Sequence, residues 1–287
     1  GGFFGMIGGN ANGDGIINEN DGSEYWYQEV GQNGYLQSDA NLDTQVDNRD
    51  KNDVWFPNRG KSEFLPQTGF NNCGDVLIDD RDGKAYNTIQ IGDQCWMAQN
   101  LNVGNIIPVD TDQTDNPEIE KYCYDDSEAN CDTFGGLYQW NEMMAYNSTP
   151  GSTGICPDGW HVPTTGEWNT LLGTVDTQYD ATSGEWQGEG WQGYDAGAHL
   201  KEAGLNHWDE PNLNATNSSG FTDLPSGGRI LNATYYAIGL ESSIWTSNKT
   251  TPGSNDAWRR GCKFNTMEVS LYYANLNYGF SVRCVKD

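Results

Sequence analysis

This chain is poor in positive charge and in histidine. Only 15 Lys and Arg stand against 41 Asp and Glu, a formal charge of −26, which weighs against nucleic acid or anionic membrane as partners and favours cations, neutral ligands and other proteins. No run of about 18 apolar residues occurs, so no membrane-crossing helix is expected. Three scattered His and seven Cys without a CxxC pair form no familiar zinc pattern. There is no nucleophile elbow, no HExxH, no Gly-rich phosphate loop and no Ser/His/Asp arrangement. The expectation that follows is a protein that is not an enzyme, in which His161, beside Trp160 at the entry to a helix, serves as a structural hydrogen-bonder.

What is present fits a globular protein outside the cell. Apolar residues make up 36% of the chain and aromatics 12%, enough for a core. Low Lys content, abundant Asn, Gly, Thr and Trp, and seven cysteines point to disulfides in an oxidising, extracellular setting, with one cysteine left over.

The first sixty residues carry a cation signature twice. In "NANGDGIINEND", Asn10, Asn12, Asp14, Asn18 and Asp21 occupy positions 1, 3, 5, 9 and 12 of a twelve-residue loop, with Gly15 at position 6. Hard Ca²⁺ needs six to eight oxygens, the Gly allows the sharp turn, and the Ile16 carbonyl at position 7 completes the set. "DANLDTQVDNRD" repeats the spacing with Asp39, Asn41, Asp43, the Gln45 carbonyl, Asp47 and Asp50, although Thr44 replaces the Gly. Asn, Asp and Gly are also ordinary turn formers, but a tandem repeat of one spacing favours two calcium sites. Asp rather than Glu at position 12 and the "DGxIN" core resemble the dockerin-type duplicated EF-hand. A short helix is expected after each loop.

Ahead of the first loop lies "GGFFGMIGG", whose Phe3, Phe4, Met6 and Ile7 are flanked by glycines. This tail has two readings: it packs on its own domain, or it inserts into a neighbouring copy by strand addition. The expected organisation is a tail over 1–9, a calcium module over 10–56, a linker over 57–72 with two prolines and two glycines, and a large module over 73–287.

In the large module, "VLIDDRDGKAYNTIQIGDQCWMAQNL" predicts strand, Asp-Gly turn, strand, turn, strand. "TFGGLYQWNEMMAY" reads as a helix entered through a Gly pair. "CPDGWHVPTTGEWNTLLGTV" carries a helix start, with Thr164 or Thr165 as cap, Glu167 in the first turn and Trp168, Leu171 and Leu172 on the apolar face. "AGAHLKEAG" predicts a third short helix, and "SSIWTS", "WRRGCKFN", "EVSLYYANL" and "GFSVRCVKD" predict strands. A few helices followed by many strands predicts the α+β class.

The segments "DGKAYNTIQIGDQCWMAQNLNVG", "CYDDSEANCDTFGGLYQWNEMM", "CPDGWHVPTTGEWNTLL", "SGFTDLPSGGRI" and "GFSVRCVKD" resemble, in order, the signatures of the Fibrobacter succinogenes major paralogous domain of secreted and cell-surface proteins. "GWHVPTTGEW" and "GFSVRC" are also similar to elements of formylglycine-generating-enzyme-like domains, which implies a C-type-lectin-like fold rich in loops and short strands. In that fold the ends of the domain pair in one sheet, so the resemblance implies that Cys156 or Cys73 approaches Cys284. The preferred set is Cys123–Cys131 across a short turn-rich stretch, Cys73–Cys95 across the first hairpin, and Cys156–Cys284, leaving Cys262 free.

Two further features bear on ligands. "EPN" at Glu210, Pro211 and Asn212 matches the sugar-and-calcium tripeptide of mannose-type lectins, but the accompanying "WND" is absent and chance explains it. "GEWQGEGWQGYDAG" offers Trp186, Trp191 and Tyr194 either as flat faces for sugar rings or as a satellite core under long loops. The expected function is a secreted, calcium-stabilised bacterial surface protein that self-assembles through its tail with other copies of itself. The alternative is a polysaccharide-binding or adhesion module using the tryptophan-rich loops.

Overall fold

A computed structural model describes residues 27–33, 45–47 and 72–287. The chain divides into two units, Gly1–Thr68 and Gly69–Asp287. In the first, among the described residues, one helical turn spans Tyr27–Glu29, after the first of the two Asn/Asp-rich stretches. Asn33 and Gln45 form an antiparallel bridge. The Gly31 N–H donates to the Val46 carbonyl at 2.7 Å and the Val46 N–H donates to Gln32 at 3.1 Å, and the Val46 side chain is buried. Of the twelve expected calcium ligands, only Gln45 and Asp47 fall among the described residues; the other ten, and the tail residues Phe3, Phe4, Met6 and Ile7, lie outside them.

The second unit is built from short, mostly antiparallel sheets. Strands β1 (Val76–Ile78), β2 (Ala85–Ile91) and β3 (Gln94–Met97) follow one another through the expected turns. They join β6 (Trp160–His161) and β13 (Val285–Lys286) in one sheet of order β1-β2-β3-β13-β6. A second sheet has the order β10 (Ile244–Lys249), β11 (Asp256–Gly261), β12 (Val269–Asn275), β7 (Gly190–Gln192). Two small pairs complete the unit: the parallel β4 (Asn105–Ile106) and β5 (Glu120–Lys121), and the hairpin β8 (Ser226–Ile230) and β9 (Thr234–Ile238).

Helices are few: α1 (Glu128–Phe134), α2 (Trp140–Met143), α3 (Thr165–Val175) and α4 (Ala196–Leu200). Among the described residues strand outweighs helix, 29% against 16%, and the sheet curls. The expected α+β, C-type-lectin-like class is therefore corrected to a mostly β fold. Backbone conformation explains the shortfall. The helix read across "TFGGLYQWNEMMAY" is cut where Gly135 takes φ 83°, and its second part closes after one turn because Ala145 and Tyr146 adopt φ 45° and 57°, a region that ends an α-helix. The terminal "GFSVRCVKD" is likewise only partly strand, with a two-residue β13 preceded by isolated bridges.

Among the described residues only α3 exceeds two turns, and its start is chemically fixed. Thr164 Oγ1 accepts the Glu167 N–H at 3.2 Å while the Thr164 N–H donates to Glu167 Oε2 at 2.7 Å, a reciprocal capping box worth about 1 kcal/mol. Its buried face, Trp168, Leu171 and Leu172, enters one of two hydrophobic clusters, together with Trp96, Trp186, Trp208 and Phe221. Trp96, Trp168 and Phe221 meet with centroids 5.1 to 5.9 Å apart in tilted and edge-on geometry, the arrangement the ring quadrupoles favour. The second cluster gathers Trp140, Trp160, Trp245 and Phe280.

Three disulfides tie the unit: Cys73–Cys95, Cys123–Cys131 and Cys156–Cys284. Cys262 is free and buried.

Candidate functional site

The alternation of side chains along β11 and β12 builds a cleft on one face of the four-stranded sheet. Trp245, Arg259 and Tyr272 are register partners across β10, β11 and β12, and Gly261, Ser270 and Trp191 are partners across β11, β12 and β7. With a side-chain period of two, both rows point to the same face. Gly261 is needed where it stands, because a Cβ there would meet the Ser242 carbonyl oxygen at 2.1 Å.

The cleft holds about 300 Å³ and is lined by Trp191, Tyr272, Arg259, Lys263, Glu241 and the small side chains of Ser242 and Ser270, with Cys262 at its floor. Trp191 and Tyr272 meet edge to face with centroids 6.4 Å apart. The Arg259 guanidinium lies 5.8 Å over the Tyr272 ring and 5.2 Å over Phe280, and its NH1 donates to Ser243 Oγ at 3.0 Å. A second cleft of about 380 Å³, lined by Tyr236, Tyr278, Phe280, Asp256 and Asn275, meets the first at Arg259. Lys263 is neutralised by Glu241 at 2.7 Å. Arg259 makes no ion pair among the described residues.

Beneath the floor lies a buried polar group. Ser242 Oγ donates to Asp223 Oδ2 at 2.5 Å and accepts the Cys262 N–H at 2.8 Å. Burial raises the Asp223 carboxyl pKa, with Arg283 opposing, and pushes the Cys262 thiol well above its ordinary value. A thiol so held is protonated and a poor nucleophile.

The tryptophan-rich run divides. Trp186 is 1% exposed, donates its indole N–H to the Asp180 carbonyl at 2.7 Å and belongs to the core. Of its two readings, flat face for sugar or satellite core, burial favours the second, and the one polar atom of the ring is already satisfied inside. Tyr194 is exposed but does not line the cleft. Trp191 does. Sequence reasoning missed Arg259 and Tyr272; their signal was the alternation in "AWRRG" and "SLYYAN", which sets same-face neighbours only once the register is known.

Other candidates are structural. His161 donates or accepts at 2.7 Å to both Glu167 and Asp287, clamping α3 to the C-terminal strand. The "EPN" side chain Asn212 is buried, and its amide donates to the Glu202 and Gly204 carbonyls at 2.8 and 2.7 Å. At the Asp-Gly turn after β1, Arg81 forks onto Asp79 at 2.8 and 2.6 Å. That turn lines a cleft of about 430 Å³ whose ionic groups include this pair. Among the described residues no group of three or more His, Cys, Asp or Glu side chains converges on one point.

The model of the Fibrobacter succinogenes major domain matches residues 89–286. The chain belongs to this family. In this member of the Fibrobacter succinogenes major domain family the matched stretch takes in both strands that carry the cleft, all four helices and five of the six bonded cysteines. Comparison with curated proteins and with solved structures finds no match.

Proposed function

We propose that this chain is a secreted bacterial surface protein whose β-rich domain binds polysaccharide in the cleft at Trp191, Tyr272 and Arg259, and acts by binding rather than catalysis. The observation that carries this reading is an arginine set over two aromatic rings, with no ion pair among the described residues, in a chain of net charge −26. Aromatic walls suit the apolar faces of sugar rings, and a guanidinium in a partly dry cleft suits hydroxyls or a sugar carboxylate. Three disulfides and the absence, among the described residues, of a helix long and apolar enough to cross a membrane are in keeping with an extracellular location.

The test is retention on immobilised neutral and acidic polysaccharides. Trp191→Ala should weaken binding at least about tenfold, the loss of a central aromatic contact, and Arg259→Ala should remove any preference for uronic-acid polymers. Equal retention of all three proteins overturns the assignment.

The dockerin-like module forms part of the same proposal: residues 10–21 and 39–50 hold two Ca²⁺ ions that staple the N-terminal unit. Calorimetric titration of chelator-treated protein should show two binding events, and a flat trace defeats the claim. A second reading rests on the apolar sequence "GGFFGMIGG": the tail joins copies head to tail into a fibre or surface layer. Deleting residues 1–9 should then abolish polymers seen by electron microscopy while leaving the monomer folded.

A further inference from the structure

Lys121, Asn102 and Asp132 stand in line. Lys121, on β5, is 4% exposed, and its Nζ lies 2.7 Å from Asn102 Oδ1 and 2.9 Å from the Asn102 main-chain oxygen. The Asn102 side chain is also buried, and its Nδ2 lies 3.4 Å from Asp132 Oδ1, on α1. An amine, a carboxamide and a carboxylate thus follow one another in the order that amide exchange requires. We propose that this is a modification site, at which Lys121 and Asn102 join in an intramolecular isopeptide bond with Asp132 as the proton carrier.

The chemistry needs no oxidant and no cofactor. The Nζ lone pair forms a bond to Asn102 Cγ, and the Cγ–Nδ2 bond breaks. One proton leaves Nζ and reaches the departing nitrogen by way of the Asp132 carboxylate, which already faces that nitrogen. The products are one secondary amide and one molecule of ammonia. A cleft of about 290 Å³ lined by Lys84, Asn102 and Asp132 opens beside the amide, giving the ammonia an exit.

Two surroundings favour the reaction. Burial, and after it the charge of Lys84, lower Lys121 to about 8, so that a usable fraction is the neutral, nucleophilic amine near neutral pH. Lys84 sits there because its own Nζ donates to the same Asn102 main-chain oxygen at 2.7 Å and to Asp82 at 3.2 Å. The contrast with Lys201 is instructive. That buried lysine donates to three main-chain carbonyls, of Leu213, Lys263 and Thr266, and among the described residues it has no side-chain amide to attack, although the Asp223 carboxylate lies near. The bond would also sit among existing staples, since Lys121 is two residues from Cys123 and Asp132 adjoins Cys131, the partners of one disulfide.

The experiment is mass spectrometry of the full chain after reduction and alkylation. The intact protein should be lighter by about 17 Da, the mass of one ammonia, than the sequence with all seven cysteines alkylated. Digestion before aspartate should release Asp93–Val109 and Asp115–Tyr124 as one branched peptide, and trypsin should fail to cut after Lys121. Lys121→Met and Asn102→Ala should restore the full mass, and Asp132→Ala should slow bond formation in freshly folded protein at least tenfold. Two separate peptides overturn the proposal, including the case in which the missing mass resides in a cyclic imide at Asn102 alone. A branched peptide that forms at an unchanged rate in Asp132→Ala overturns the role given to Asp132.

Discussion

Cys156 and Cys284 are bonded across 128 positions of sequence, with their Cα atoms 6.0 Å apart. The bond fixes the segment entering β6 against the segment entering β13, two strands that are neighbours in the large unit's main sheet. Loop-closure entropy ranks it above the others, which span 22 and 8 residues. Replacing both cysteines by Ala should cost about 5 kcal/mol for Cys156–Cys284, about 3 for Cys73–Cys95 and about 2.5 for Cys123–Cys131. Denaturant midpoints of the three double variants check the order.

His161 and Glu167 predict a pH window. The hydrogen bond to Glu167, chiefly, raises His161 above its ordinary 6.5, so its contribution is complete below about 6.5 and is lost as pH rises through the higher folded value. For Glu167, burial opposes ionisation, but hydrogen bonds from His161 and Thr164 prevail and lower it from 4.5. Its contribution is present above about 4.5 and is lost as pH falls through the lower folded value. The pair is therefore most stabilising between about 4.5 and 6.5. Thermal unfolding against pH should show the alkaline loss in the parent and not in His161→Gln.

Cys262 should be silent in the native state. Its thiol is 2% exposed and its pKa is pushed well up by burial, so a maleimide at pH 8 should label no cysteine in the folded, non-reduced protein and one in denaturant. Labelling of Cys262 in the folded protein would show that the cleft floor opens.

Trp186 and Trp191 lie five residues apart and should respond oppositely. Trp186→Ala empties a site in the core and should cost about 3–5 kcal/mol of stability. Trp191→Ala, at the half-exposed cleft wall, should cost much less while lowering polysaccharide retention. Paired melting and retention measurements separate the two roles.

Local chemistry was legible in the sequence because its partners are near in the chain. The β1–β3 run, the helix start at Thr164 or Thr165, the apolar face of α3 and the pairings Cys73–Cys95 and Cys123–Cys131 all join residues separated by a few to about twenty positions, and each appears in the fold, with Thr164 as the cap. The Cys156–Cys284 bond was reached through the family resemblance, since no spacing rule links positions so far apart. The balance of strand over helix was misread because hydrophobic spacing proposes a helix, whereas the φ angles at Gly135, Ala145 and Tyr146 decide how soon it stops.

Composition and pattern alone determined that this is an acidic, disulfide-bonded chain with one Asn/Asp spacing repeated twice ahead of a large module. Only the tertiary structure decided that Trp186 is core and Trp191 is cleft wall, that Arg259 lies between aromatic rings, and that Lys121 meets Asn102. Those relationships depend on sheet register and on loops closed over many residues. Both arise from the packing of the whole unit, and neither leaves a periodic trace in the neighbouring sequence.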